Sequence, residues 1–167
     1  MNIDFAHSRL PGRDLRYFDS IDTTMREAAG CPTGTVVIAE EQTAGQGRHG
    51  HRWHSEKGLG LYLSVVLPRE PAPALTLALG LATAEAITTT TGVACDLRWP
   101  NDVMIGHRKV AGILAQLVES AAIAGIGVNV NQTSFPGELA EEATSLRIES
   151  GHMHSRESKP QRVATDW

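Results

Sequence analysis

At 167 residues, 41% hydrophobic and 20% charged, the chain is long enough for one domain with a real core and has the composition of an ordinary globular protein. Its net charge of −4 argues against a dedicated nucleic-acid binder, and its two cysteines, Cys31 and Cys95, match no metal or redox spacing and read as reduced thiols. The longest apolar stretch, around Leu75 to Ile87, is broken by Thr76, Gly80, Thr83 and Glu85. With no secretory pattern at the N-terminus either, the expectation is a cytoplasmic protein that does not cross a membrane.

Residues 1–16 carry little pattern, and 15–18 are expected to begin an edge strand. Thr24, three residues ahead of Glu27, fits a capping box, and Gly30 fits the stop of a short helix. Hydroxyls at a helix start usually serve as caps, but the same geometry can aim Thr23 or Thr24 at a ligand. Pro32 and Gly34 mark a turn, and residues 35–39 form a β-branched strand that feeds the stretch 40–54. There Gly45, Gly47 and Gly50 alternate with Arg48, His49, His51 and Arg52. Glycines let backbone N–H groups point inward, and the cations add positive charge, as closure over a phosphate ester requires. Two plainer alternatives remain: a basic surface loop whose glycines only make turns, or a metal site from His49, His51 and His54. The second lacks a carboxylate or cysteine at ligand spacing.

Residues 58–67 alternate Leu61, Leu63, Val65 and Leu67 on one face of a second strand, followed by a connector with Pro68, Pro71 and Pro73. Over 74–88 helix formers dominate, with a stripe of Leu75, Leu79, Ala82 and Ala86 flanked by Leu77 and Leu81. That width predicts a helix largely buried against a sheet. A strand over 94–99 ends in Arg98-Trp-Pro-Asn-Asp102, where Pro100 and Asn101-Asp102 suit a turn. Residues 103–105 and 109–118 read as strands around a tight Gly106-His107 turn, and 122–130 as another, through Gly125-Ile-Gly-Val-Asn129. Phe135-Pro-Gly-Glu-Leu139 begins a loop with a helical turn. Beyond Ser150 apolar periodicity stops, so 151–167 is expected to be disordered, His152 and His154 included. Five or more strands and two helices predict an α/β (α+β) domain, a mixed sheet packed with helices.

Three elements taken together resemble the biotin protein ligases, the biotin–[acetyl-CoA-carboxylase] ligase family. The family's G-R-G-R-x-G-R-x-W loop stands here as Gly45-Gln-Gly-Arg-His-Gly-His-Arg-Trp53. Its K-W-P-N-D…K-x-A-G-I-L stands as Arg98-Trp-Pro-Asn-Asp102 and Lys109-Val-Ala-Gly-Ile-Leu114, and its G-I-G-x-N-x-N as residues 125–131. The resemblance covers about residues 15–150. It implies the biotin/lipoate ligase catalytic-domain fold over 1–150 and a two-step reaction through biotinyl-5′-AMP. Biotin, ATP and Mg²⁺ would be required, the acceptor being the biotin carboxyl carrier protein of acetyl-CoA carboxylase.

By matched position, Lys109 and Arg48 are the catalytic candidates. Thr23, Thr24, Met25, Gln42, Gly45, Gln46, Gly47, Arg48, Lys109 and Gly112 are expected at biotin. Arg48, His49, His51, Trp53, Asn101, Lys109 and Asn129 are expected at ATP, and Asp102 either orders Mg²⁺ or fixes the turn. There are departures. Thr23 and Met25 stand where the family usually has Ser and Asn in S-T-N, Gln46 replaces a common Arg, and His51 replaces another, which carries only part of a charge at neutral pH. The resemblance further implies that a C-terminal SH3-like domain and an N-terminal helix-turn-helix are missing here, so no DNA role is expected. A monomer or a homodimer is equally compatible. A lipoate–protein ligase or octanoyltransferase of the same fold is the close alternative, and a weakly active biotin-binding remnant is another. A nucleic-acid module built on Arg48–Arg52 is disfavoured by the acidic charge and the lack of interleaved aromatics.

Overall fold

The computed structural model describes residues 1–69, 71–118 and 120–157. Part of the stretch expected to be disordered, 158–167, lies outside the described residues. A single seven-stranded mixed sheet organises the chain, in the order β1-β2-β3-β7-β6-β5-β4. The strands are β1 (Leu15–Phe18), β2 (Val36–Ala39), β3 (Gly60–Pro68), β4 (Asp96–Arg98), β5 (Asp102–Ile105), β6 (Arg108–Leu117) and β7 (Ala121–Asn129). Only β1 and β2 pair in parallel; the other neighbours are antiparallel. The helices are α1 (Ile3–Arg9), α2 (Thr24–Ala29), α3 (Ala72–Thr91), α4 (Leu139–Glu142) and α5 (Leu146–Ser150).

β2 is buried along its whole length because both faces are covered. Val37 packs with Met25 and Ala28 of α2, whereas Val36 and Ile38 pack with Leu15 and with Ile3 and Ala6 of α1. That first helix lies where the sequence showed no pattern, since two apolar side chains are enough to dock it. On β3 the buried side chains are Tyr62, Ser64 and Val66, and the alternating Leu61, Leu63 and Val65 are only half-buried. The hydroxyl face is the one that α2 covers.

Three local expectations change. Thr23, rather than Thr24, caps α2, its hydroxyl accepting from Met25 N at 3.3 Å. Glu27 turns away from the cap to pair with Arg16 at 3.1 Å. On α3 the buried residues are Gly80, Thr83, Ala84 and Ile87, while Leu77 and Leu81 are 44% and 55% exposed and Ala82 and Ala86 are exposed too. Almost every side of this helix is apolar, so hydrophobicity does not select a face. Contact with β4, β5 and β6 does, and it turns Thr83, Ala84 and Ile87 inward.

Finally, residues 151–157 are docked rather than disordered. Asn131 clamps His154, donating from Nδ2 to His154 O at 2.9 Å and accepting from His154 N at 2.9 Å. Arg156 reaches the buried Glu40 carboxylate at 2.8 Å and Gly60 O at 3.2 Å. Polar contacts between distant segments hold this stretch, which is why a test for apolar periodicity misses it.

Candidate functional site

The site lies on the sheet face that α2 covers, where period-2 geometry puts Gly112, Gly125 and Gly127 side by side. Gly112 pairs with Gly127, Gly127 with Tyr62 and Gly125 with Ser64. With no side chains at these three positions, the strands leave a bare platform. Trp53 lies across one end: a Cβ on Gly127 would come within 2.5 Å of its indole, and one on Gly112 within 3.0 Å. Met25 occupies the other end, with Sδ 2.6 Å from a Cβ on Gly125.

Residues 40–58 bring Trp53 there as a folded excursion with a fixed root. Glu40 N donates to Phe18 O at 2.9 Å, and Gly58 N returns to Glu40 O at 3.1 Å. Inside, Trp53 N donates to Gly45 O at 2.9 Å and Gly47 N to His51 O at 2.8 Å. A single 3₁₀ turn over Arg48–Gly50 reverses the chain through His49 at φ 56° and Gly50 at φ 78°. Gly45 is required where the limbs touch, since a Cβ there would sit 2.5 Å from Trp53 O.

Two cavities meet beneath this loop. The first, with about 450 Å³ of empty space, has a polar end at Thr23, Thr24 and Gln42 and apolar side chains from Met25, Leu114 and Trp53 around it. The second, with about 1090 Å³, is lined by Arg48, His49, His51, Arg52, His54, Arg98 and Lys109, with Phe135 and Leu139 opposite. Asp102 and Glu142 are its carboxylates. The two share Gly47, Arg48, Trp53, Asn101 and Lys109, which therefore stand at the junction.

Lys109 Nζ is 2.6 Å from Asp102 Oδ1 and 5.3 Å from the centroid of the Trp53 ring. Arg98 holds the other Asp102 oxygen at 2.7 Å. Burial opposes ionisation of Asp102, but hydrogen bonds from Lys109 and Arg98 outweigh it and hold the carboxyl below its ordinary range. Arg48 Nη1 donates to Asn101 Oδ1 at 3.4 Å, and Asn129 Nδ2 to Thr144 O at 3.0 Å. Among the described residues, the buried Trp53 Nε1 has no partner.

Of the residues expected at the first ligand, Thr23, Thr24, Met25, Gln42, Gln46, Gly47, Arg48, Lys109 and Gly112 line the first cavity. Gly45 does not; it is buried beneath the loop as a packing position. All seven residues expected at the nucleotide line the second cavity. Both Asp102 oxygens carry ion pairs, one from Arg98 and one from Lys109, so the residue ties the turn at 98–102 to β6. No group of three or more His, Cys, Asp or Glu that could hold a metal ion occurs among the described residues. Sequence reasoning passed over Leu63, Leu114, Gly125, Ile126 and Gly127 in the first cavity and Arg98, Phe135 and Leu139 in the second. The spacing of Gly125 and Gly127 was the available signal, as two glycines two apart in a strand clear one face.

A sheet with a glycine platform, a cationic glycine loop and a lysine between two cavities defines a class of protein, and the chain belongs to it: residues 17–132 match the biotin/lipoate A/B protein ligase family. It is 37% identical over 161 residues to the bifunctional ligase/repressor BirA of Bacillus subtilis, covering 87% of this chain and 50% of that one. It is 39% identical over 134 residues to the biotin–[acetyl-CoA-carboxylase] ligase of Mycobacterium tuberculosis, covering 75% and 50%. Among solved structures, it superposes on the biotin protein ligase from Aquifex aeolicus in complex with biotin and ATP with a TM-score of 0.80 and 37% identity, over 86% of this chain and 63% of that one. The chain spans about half the length of the curated relatives it matches.

Proposed function

We propose that this chain is the catalytic core of a biotin protein ligase, acting in the cytoplasm. The carboxylate of biotin attacks the α-phosphate of ATP, giving biotinyl-5′-AMP and pyrophosphate. The ε-amino group of a lysine on the biotin carboxyl carrier protein of acetyl-CoA carboxylase then attacks the mixed anhydride, forming an amide and releasing AMP.

One observation carries this: Lys109 and Arg48 stand where an apolar-walled cavity with a polar end meets a larger cationic one. The reaction joins two anions, so it needs fixed positive charge at their meeting point and partners for a neutral ureido ring away from it. Thr23, Thr24 and Gln42 supply hydroxyls and an amide for the ring. Arg48, His49 and His51 face the phosphates, Trp53 and Asn101 the adenosine, and Asn129 fixes the segment behind it. Lys109 exchanges its Asp102 partner for the carboxylate and phosphate oxygens as they approach, and Mg²⁺ arrives with the phosphates of ATP. Closing the loop keeps water from the anhydride. Relatives named for the biotin reaction favour biotin over lipoate.

The test is mass-spectrometric detection of biotinyl-5′-AMP after mixing the purified chain with biotin and Mg-ATP. Lys109→Ala is expected to lower its formation by about 10²-fold or more, the scale for losing a preorganised charge at the reacting centre. No adenylate from the folded wild type overturns the proposal.

A further inference from the structure

A chain of hydrogen bonds runs from the floor of the first cavity to the backbone of Trp53, and every direction in it is forced. Thr24 N donates to Gln42 Oε1 at 2.9 Å, so that atom is the acceptor end of the amide. Thr24 Oγ1, 3.1 Å from the same oxygen, must therefore donate to it. The proton shared between Thr24 Oγ1 and Ser64 Oγ, 2.8 Å apart, then belongs to Ser64. At the other end, Gln42 Nε2 donates to Ser55 Oγ at 2.9 Å, and Ser55 Oγ donates to Trp53 O at 3.3 Å, an acceptor that cannot reciprocate. The order is Ser64, Thr24, Gln42, Ser55, Trp53. Thr24, Ser55 and Ser64 are buried.

Trp53 itself is held at two backbone points, by Gly45 O at its N–H and by the Ser55 hydroxyl at its carbonyl. Its ring spans the junction of the cavities, with Nε1 buried and unpartnered among the described residues. A donor left without a partner marks a ring position that a ligand acceptor, or a small shift, would satisfy.

We infer that Ser55 is a positioning residue that couples the two cavities, so that occupancy of the first sets the placement of Trp53 in the second. A ligand N–H donated to Thr24 Oγ1, which has a lone pair beyond the one that accepts from Ser64, polarises a one-way chain, strengthens the Ser55–Trp53 end and favours one position of the indole beside the nucleotide. Ser55 touches neither ligand; it acts through Trp53. The inference rests on the ligand assignment proposed above.

The experiment is a titration of α,β-methylene-ATP, which cannot be turned over at the α-phosphate, with and without saturating biotin. It is run on the wild type, Ser55→Ala and Ser55→Cys, each checked for folding by thermal melting. Linkage requires the same factor when the ligands are exchanged. In the wild type biotin is expected to tighten the nucleotide by roughly 5- to 150-fold, the usual range of coupling between sites. In Ser55→Ala the factor falls to within about twofold of unity while the affinity for biotin alone changes less, a pattern that general destabilisation does not give. Ser55→Cys, with a weak donor and acceptor in nearly the same shape, lies between them and decides the matter if the alanine variant does not fold. A wild type that binds both ligands without coupling, or variants that keep the wild-type factor, overturn the inference alone. A wild type that binds no biotin overturns the function proposed above and the inference with it.

Discussion

Gly127 and Gly125 occupy the same face of one strand, yet their substitution has different consequences. A Cβ on Gly127 meets the Trp53 indole at 2.5 Å, and the rigid ring can make room only by leaving its place as a whole. Gly127→Ala is expected to cost about 1–3 kcal/mol, as overpacking does, and to drive Trp53 into solvent. Urea melts read the first effect and a red shift of tryptophan emission the second. At Gly125 the obstacle is Met25 Sδ, the far end of a flexible thioether. Gly125→Ala should cost less than Gly127→Ala and should leave the emission unchanged. The motif Gly125-x-Gly-x-Asn129 was legible in the sequence as a pattern. Its physical meaning, a cleared platform, needed the strand partners Gly112, Ser64 and Tyr62.

Helices α2 and α3 differ in how much their own sequences determine. For α2 the start lies among hydroxyl residues, and the structure selects Thr23 as cap because Thr24 is drawn inward to Gln42 and Ser64. Thr23→Ala is expected to lose about 0.5–2 kcal/mol, the usual value of a cap, measurable by urea denaturation. α3 has so many alanines, leucines and threonines that its sequence names no inner face; contact with β4, β5 and β6 chooses one. Leu81→Gln is therefore expected to change stability by no more than about 0.5 kcal/mol, whereas Ala84→Leu, on the buried side, should cost about 1–3 kcal/mol. Thermal melts of the pair separate these faces, and a large loss from Leu81→Gln contradicts the packing described.

Across the whole molecule, Glu40 gathers contacts from both ends of the described chain. Its buried carboxylate receives Arg156 at 2.8 Å, the Met1 amino group at 2.6 Å and the Tyr17 hydroxyl at 2.9 Å. Burial alone would raise its pKa, but these three donors overcome that and bring it down to about 2 from the ordinary 4.5. A carboxylate depressed in the folded state binds fewer protons than in the unfolded one, so stability falls as acid is added. The contribution is complete above pH 4.5 and is lost as the pH falls towards about 2. Arg156→Met should destabilise the protein by a constant amount near neutral pH, and the gap from wild type should close over that acid window. Urea melts at a series of pH values test this; a gap that stays open at pH 2 means Arg156 acts by packing alone. Because Glu40 also roots the loop bearing Arg48 and Trp53, the same tie secures the site.

The sequence by itself determined the strand-rich core, the cationic glycine loop, the turn at Arg98–Asp102 and the membership of Lys109 in one motif with it. Each of these depends on residues close together in the chain: β-branched runs, glycines where side chains must be absent, proline where the backbone must turn. Tertiary structure alone decided the buried face of α3, the docking of 151–157 on Asn131 and Glu40, the presence of α1 and the burial of Gly45 away from the cavity. It also decided that Gln42, Ser55 and Trp53 form one hydrogen-bonded line. The deciding contacts either join segments far apart in sequence or form where a loop folds back on itself, and a close approach or a polar partner of either kind leaves no periodic trace in the local residues.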